Sequence, residues 1–212
     1  MFNYPKFEVE IRRRLRVDQL GWPEPGDACD DGGLGCNRMY MDLRRFSWTE
    51  AKQALADEAR LITRIVSAED LEEELAVIEE EYDESGVELY GLDIGVASTV
   101  IALSAARCVP FSSCNGGAFG GSHNEMHPVV AFYARPATAD LLLQVAHEID
   151  IGLESCAQGW LVLFSDDVRK FPRLAEAIIR RRKEFNALRL STPKTTKPPT
   201  APTDSGQYEL PL

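Results

Sequence analysis

The spacing of apolar residues predicts two consecutive helices in the first half of the chain. Ser47 and Glu50 have the spacing of a capping box, and apolar residues at helical spacing follow them. The first stripe consists of Leu55, Ala59, Ile62 and Val66, and the second consists of Leu71, Leu75, Ile78 and Tyr82. We therefore expect an antiparallel helix pair over 47–85, with an acidic outer face.

From residue 86 onward, short apolar runs alternate with helical stripes. The runs predict strands over 86–92, 108–112, 128–134 and 160–165. Helices are predicted over 94–106, 138–149 and 172–188, and the first of these is apolar all round, so it should be buried. The order predicts an α+β fold, namely a ferredoxin-like βαββαβ sheet with an extra C-terminal helix.

The two ends of the chain give weaker patterns. Residues 7–15 alternate apolar and polar side chains and form one further strand candidate, before a stretch rich in glycine and proline. Residues 191–212 contain mostly Pro, Thr and Lys until the last few positions, which predicts a disordered tail. The sequence thus divides into an irregular N-terminal segment (1–46), a helical hairpin (47–85), an α+β domain (86–190) and a tail (191–212).

Charge and hydropathy restrict the classes of function. The formal net charge of −11 argues against general nucleic-acid binding through a basic surface. No run of 18 apolar residues predicts a membrane span, and the N-terminus lacks the apolar core of a secretory signal. With an odd number of cysteines, five, we expect reduced thiols and a cytoplasmic location.

The loop from Cys108 to His127 concentrates chemistry that a simple connection does not need. It holds four glycines between its second thiol and its first imidazole. One hypothesis is a zinc site, because two thiols and two imidazoles form a tetrahedral ligand set. The metal ligands would be Cys108, Cys114, His123 and His127.

A second hypothesis is nucleophilic catalysis by Cys114, at the end of a predicted strand. His123 or His127 would act as the base, with Glu125 orienting it. The N–H groups of the following glycines would form an oxyanion hole. Together these two hypotheses describe a thiol- or zinc-dependent hydrolase as the alternative function.

The third hypothesis, which we favour, is a binding or regulatory module. The loop would recognise a small polar ligand or a partner protein without performing chemistry, since glycine lets a ligand approach the backbone closely. The candidate binding residues are Ser112, Ser113, Asn115, Gly116, Gly117 and Glu125.

The run from Asp93 through an apolar helix to Ser113-Cys114-Asn115-Gly116 resembles a group of small bacterial and phage domains of unknown function. In those domains a helix leads into a Ser-Cys-x-Gly turn. The Ser-Ser-Cys-x-Gly piece is also similar to a motif of the wybutosine-synthesis tRNA methyltransferases, where Arg-Ile follows the turn. Here Gly117 and Ala118 occupy those places, so the resemblance predicts the layout of helix, turn and strand rather than methyl transfer.

The last six residues resemble the short peptide by which bacterial proteins dock on the DNA-polymerase sliding clamp. Gln207, Leu210 and Leu212 stand at the positions of its glutamine and its two apolar anchors. A disordered tail would carry these anchors into a groove of the clamp, so a DNA-associated accessory protein is a further alternative. Cys29 and Cys36, with the aspartates near them, form a second, looser metal candidate.

Overall fold

Helices cover one face of a mixed sheet in the computed structural model, which describes residues 2–23, 43–85, 89–119 and 125–188. Within these ranges the α-helices are α1 (Trp48–Ser67), α2 (Leu71–Ser85), α3 (Ala97–Ala105), α4 (Pro136–Ile149), α5 (Lys170–Arg180) and α6 (Arg182–Leu188). The strands are β1 (Arg13–Arg14), β2 (Val109–Cys114), β3 (Val129–Tyr133), β4 (Gly152–Ser155) and β5 (Leu161–Phe164). No helix in the described part of the chain combines the length and apolar character that crossing a bilayer requires.

The five strands form one sheet in the order β1-β4-β5-β3-β2. All neighbouring strands are antiparallel except β1, which runs parallel to β4. The α+β class is therefore confirmed. The ferredoxin-like topology is not confirmed, because this strand order differs from it.

The predicted strand over 86–92 is wrong for the residues that the structure describes. Leu89–Gly91 forms a 3₁₀ turn, and all three of its residues have positive φ, between 53° and 66°. Left-handed backbone cannot continue a pleated strand. The described residues that suggested a strand therefore form a turn, and this turn buries Leu89.

The strand β4 was not predicted, and it explains the different sheet order. Its register places Gly152 opposite Phe164 of β5. A Cβ at Gly152 would lie 2.4 Å from the Phe164 ring, so this position needs glycine for the ring to pack across it. The glycine that permits the strand also removes the apolar signal by which a strand is recognised.

The core lies between the sheet and the helices. Every residue of α3 is buried, as the apolar character of 94–106 predicted. Val130 and Phe132 of β3, together with Leu163 of β5, face this helical layer. The buried helix α3 leads through a short turn into β2.

The helix α1 begins as the capping box predicts. The Ser47 side chain accepts the N–H of Glu50 at 3.2 Å, and the Glu50 carboxylate accepts the N–H of Ser47 at 2.6 Å. The buried face, however, is not the predicted stripe of four apolar residues. It is formed by Ala51, Ala54, Glu58, Leu61 and Ile65. The prediction missed it because a glutamate stands in its middle.

Candidate functional site

The candidate site lies at one end of the sheet, where β2 ends and β3 begins. Cys114 pairs across the ladder with Val129, and His127 stands two residues before Val129. A Cβ at Gly116 would lie 2.7–2.9 Å from backbone atoms of His127 and Pro128, so the turn after β2 packs directly on the chain entering β3. We call residues 112–117 and 125–129 the β2–β3 corner. His123 lies outside the described residues.

Asn115 holds the turn in place rather than facing a ligand. Its backbone N–H donates to Asp93 Oδ2 at 3.2 Å, and its side-chain N–H donates to the carbonyl of Ile94 at 3.0 Å. Its Oδ1 accepts the N–H of Gly117 at 2.8 Å. Asn115 is 6% exposed, so these bonds satisfy a buried polar side chain. The structure thus gives Asn115 a structural role in this turn.

The N–H groups of Gly116 and Gly117, which were predicted to form an oxyanion hole, have acceptors within the turn. Gly116 and Gly117 have φ of 66° and 77°, which explains why glycine stands at both positions. The Gly116 N–H approaches the Cys114 sulfur at 3.4 Å, and the Gly117 N–H is taken by Asn115. Both donors therefore have acceptors within the turn itself.

The Cys114 thiol is packed into a small apolar cluster. The side chain is buried, and Val129 and Phe164 are its neighbours in the cluster, with Val9 covering them from the N-terminal segment. A nucleophile must reach its substrate, and this sulfur is enclosed. The described structure thus gives Cys114 the environment of a packing thiol.

The structure does not bring Cys108 and Cys114 together. Cys108 precedes β2 and Cys114 ends it, and six residues of extended strand span about 20 Å. Cys108 is buried in the main core, and this burial raises the pKa of its thiol well above its usual range. Residues 2–23, 43–85, 89–119 and 125–188 contain no group of three or more His, Cys, Asp or Glu side chains that could hold a metal. The described members of the predicted zinc set, Cys108, Cys114 and His127, are therefore not brought together as a group.

Glu125 and His127 both lie partly buried at the corner. Burial raises the pKa of the Glu125 carboxyl and lowers the pKa of the His127 imidazole. The His127 ring meets the Phe164 ring edge to face, with centroids 6.1 Å apart. Between them, Met126 is 78% exposed. Both ionisable side chains thus shift toward their neutral forms beside an exposed apolar one.

Ser112 and Ser113 do not converge on one ligand. They are successive residues of β2, paired with Ala131 and Val130, so their side chains point to opposite faces of the sheet. Ser112 is exposed and Ser113 is partly buried. Among the predicted binding residues, one is exposed, namely Ser112. The others are partly buried (Ser113, Gly117 and Glu125) or buried (Asn115 and Gly116).

Sequence reasoning missed the most unusual polar group of the fold, the carboxylate of Glu58. It is fully buried and caps the N-terminus of α3 from the neighbouring helix α1. Its Oε1 accepts the N–H groups of Gly95 and Ala97, both at 2.9 Å. Its Oε2 accepts the N–H of Ser98 at 3.3 Å and contacts the Ser98 hydroxyl. A glutamate inside an otherwise apolar helix face was the available signal.

The packing of residues 2–9 near the corner was missed as well, since these residues reach it without regular structure. Lys6 Nζ lies 2.7 Å from Asp167 Oδ2, just after β5. Asp167 also accepts the backbone N–H of Arg169 at 3.0 Å. Asp167 thus binds both the N-terminal segment and the start of the chain that leads into α5.

The remaining candidates lie outside the described residues, namely Cys29, Cys36 and the tail positions Gln207, Leu210 and Leu212. Docking on the sliding clamp stays a prediction. Comparison with known proteins gives no family: no protein-family model, no curated protein and no solved structure matches the chain significantly.

Proposed function

We propose that this chain is a binding module that recognises a partner protein through the β2–β3 corner. The observation that carries the proposal is the exposure of Met126, 78%, on a corner whose turn is bonded internally. A rigid frame that presents an exposed apolar side chain loses little conformational entropy when a partner binds.

A protein partner fits the corner better than a small polar ligand does. The polar groups that would grip such a ligand, in Asn115 and the N–H groups of Gly116 and Gly117, are engaged within the fold. What remains at the surface of the corner is Ser112 and Met126, and Met126 stands between two partly desolvated side chains. Methionine is enriched in protein interfaces because its flexible thioether adapts to a facing surface.

The hydrolase alternative has less support from the same contacts. Cys114 is enclosed, and the two N–H groups that would stabilise an oxyanion have other acceptors. Binding therefore requires no rearrangement of the corner, whereas catalysis by Cys114 requires its opening.

Site-specific photo-crosslinking tests the proposal. A photoreactive benzophenone residue replaces Met126 in the full chain, produced in the cells that naturally express it. The matched control places the same residue at Val77 of α2, which is 40% exposed and distant in sequence from the corner. We expect a discrete protein adduct from position 126 and none of that mass from position 77. Equal adduct patterns at both positions, or no adduct at 126, would contradict the proposal.

A further inference from the structure

The N-terminal residues 2–9, which we call the strap, lie across the β2–β3 corner and the end of β5. Phe2 and Tyr4 pack against Phe119, with ring centroids 5.9 Å and 6.1 Å apart. Phe7 joins the same cluster, while Val9 covers the apolar cluster that contains Cys114. The strap thus fills an apolar groove that runs past the turn after β2.

Polar contacts fix the direction of the strap in this groove. The Phe7 N–H donates to the carbonyl of Asp166 at 3.0 Å. Lys6 pairs with Asp167 at 2.7 Å, and the Arg169 guanidinium lies over the Tyr4 ring at 4.6 Å. Burial raises the pKa of Asp167, but the hydrogen bonds from Arg169 and Lys6 outweigh it and leave this pKa well below its usual range.

The strap is held more weakly than the strands it covers. Among the described residues, a single backbone hydrogen bond joins it to the rest of the fold, and it belongs to no ladder of the sheet. Asn3, Lys6 and Glu8 are exposed, and the residues between them are partly buried. Segments with few backbone bonds and partial burial open at low free-energy cost.

We propose that the groove under the strap is a binding site for an extended peptide of a partner protein, and that the strap is its displaceable occupant. The strap shows which peptide fits. Aromatic side chains stand at its first, third and sixth positions, a cation at its fifth and an aliphatic side chain at its eighth. The aromatic side chains at the first and third positions would meet Phe119, and the cation would meet Asp167.

Competition between the strap and a partner follows from their connectivity. A tethered segment is present at an effective concentration on the order of millimolar. A peptide of the same chemistry added in solution therefore binds poorly until the strap is released. The inference rests on the proposed function in one respect, that binding occurs at this end of the sheet, and it adds the chemistry of the partner.

Peptide binding to strap variants of the full chain tests the inference. The probe is a fluorescein-labelled peptide with the sequence of residues 2–10, FNYPKFEVE, followed by fluorescence anisotropy. The release variant carries Tyr4→Ser and Phe7→Ser, which leave the groove itself unchanged. Glu8→Gln, at an exposed strap position, is the matched control.

We expect the release variant to bind the probe at least tenfold more tightly than the wild type and the Glu8→Gln chain. A probe with the same two serines should show no saturable binding. If the release variant does not fold, as judged by its urea transition, Lys6→Glu is used instead. This substitution replaces the ion pair with Asp167 by a repulsion and loosens the strap without removing apolar contacts. Equal affinity for wild type and released chain would overturn the inference.

Two further outcomes are decisive. In sedimentation equilibrium, one outcome would be that the wild type dimerises and that the release variant does not. That result would overturn the proposal of a partner protein, because the groove would then bind the strap of a second copy of this chain. Adducts at position 126 without probe binding would leave the proposed function standing and remove the peptide groove. Probe binding without adducts at position 126 would support the groove and remove the exposed corner as the recognition surface.

Discussion

The buried carboxylate of Glu58 leads to the sharpest prediction about stability. Burial raises its pKa from 4.5 to about 7, against the opposing hydrogen bonds from Ser98, Gly95 and Ala97. The contacts accommodate both protonation states. In the neutral form the acid proton donates to the Ser98 hydroxyl, while Oε1 still accepts the N–H groups of Gly95 and Ala97.

The raised pKa determines the direction of the pH dependence. Between about pH 4.5 and pH 7 the folded chain retains a proton on Glu58 that the unfolded chain has released. The contribution of Glu58 to the free energy of unfolding therefore falls as pH rises through this window, and it is constant below and above it. At about 1.4 kcal/mol for each unit of pKa shift, the loss amounts to about 3 kcal/mol.

The substitution Glu58→Gln isolates this effect, since glutamine keeps one acceptor oxygen and does not titrate. At pH 5 we expect the wild type to be more stable by about 1 kcal/mol, because the amide presents a second donor to the Ser98 N–H. At pH 8 the order reverses, and the variant is more stable by about 2 kcal/mol. Urea unfolding at both pH values measures the difference.

Glu50→Gln on the same helix is the control. Its hydrogen bonds with Ser47 lower the pKa of Glu50, so this carboxylate is ionised throughout the window and the substitution should cost the same at both pH values. A difference between wild type and Glu58→Gln that changes by less than about 0.5 kcal/mol between pH 5 and pH 8 would refute the reasoning. Glu58 would then be a permanent anion stabilised by the helix N-terminus.

Two further predictions concern the corner. Gly116→Ala should lower the free energy of unfolding by about 2–3 kcal/mol in urea, since its φ is 66° and a Cβ would meet the backbone of His127 at 2.7 Å. Gly21→Ala, where the nearest atoms are 3.7 Å away, should stay within about 0.5 kcal/mol, and equal costs at the two sites would contradict the contact. Burial and Glu154 raise the pKa of Cys156 to about 11, but its thiol is accessible, so in native protein at pH 9 iodoacetamide should still modify Cys156 before buried Cys114, as followed by peptide mass mapping. Faster labelling of Cys114 would contradict its assignment as a packing thiol and support the hypothesis that it is a nucleophile.

The sequence predicts those elements whose signal is local. The capping box of Ser47 and Glu50 fixes the start of α1. The helix α3 was predicted as buried because its residues are almost all apolar or small. The strands β3 and β5 lie within unbroken apolar runs, which predict buried strands. In each case a few neighbouring residues carry all the information.

The rest depends on contacts between distant residues. Gly152 can be recognised as a strand residue only when the position of the Phe164 ring, which packs across it, is known. The segment around Leu89 alternates like a strand, yet Leu89, Tyr90 and Gly91 have positive φ values that this alternation does not indicate. Glu58 could be recognised as a cap only after α3 had been placed against α1. The candidate site was missed in part for the same reason, because the strap that covers it begins more than a hundred residues earlier.

The buried acid and the candidate site belong to one set of hydrogen bonds. Glu58 holds Gly95, and the adjoining residues Asp93 and Ile94 hold Asn115. Asn115 in turn fixes the turn that packs against His127. A fold that needed only to close its core could have placed an apolar residue at position 58 and capped α3 with a local side chain. Because the cap comes from α1, the loop before α3 is held by Glu58 on one side and by Asn115 on the other, and the corner inherits its geometry from the core.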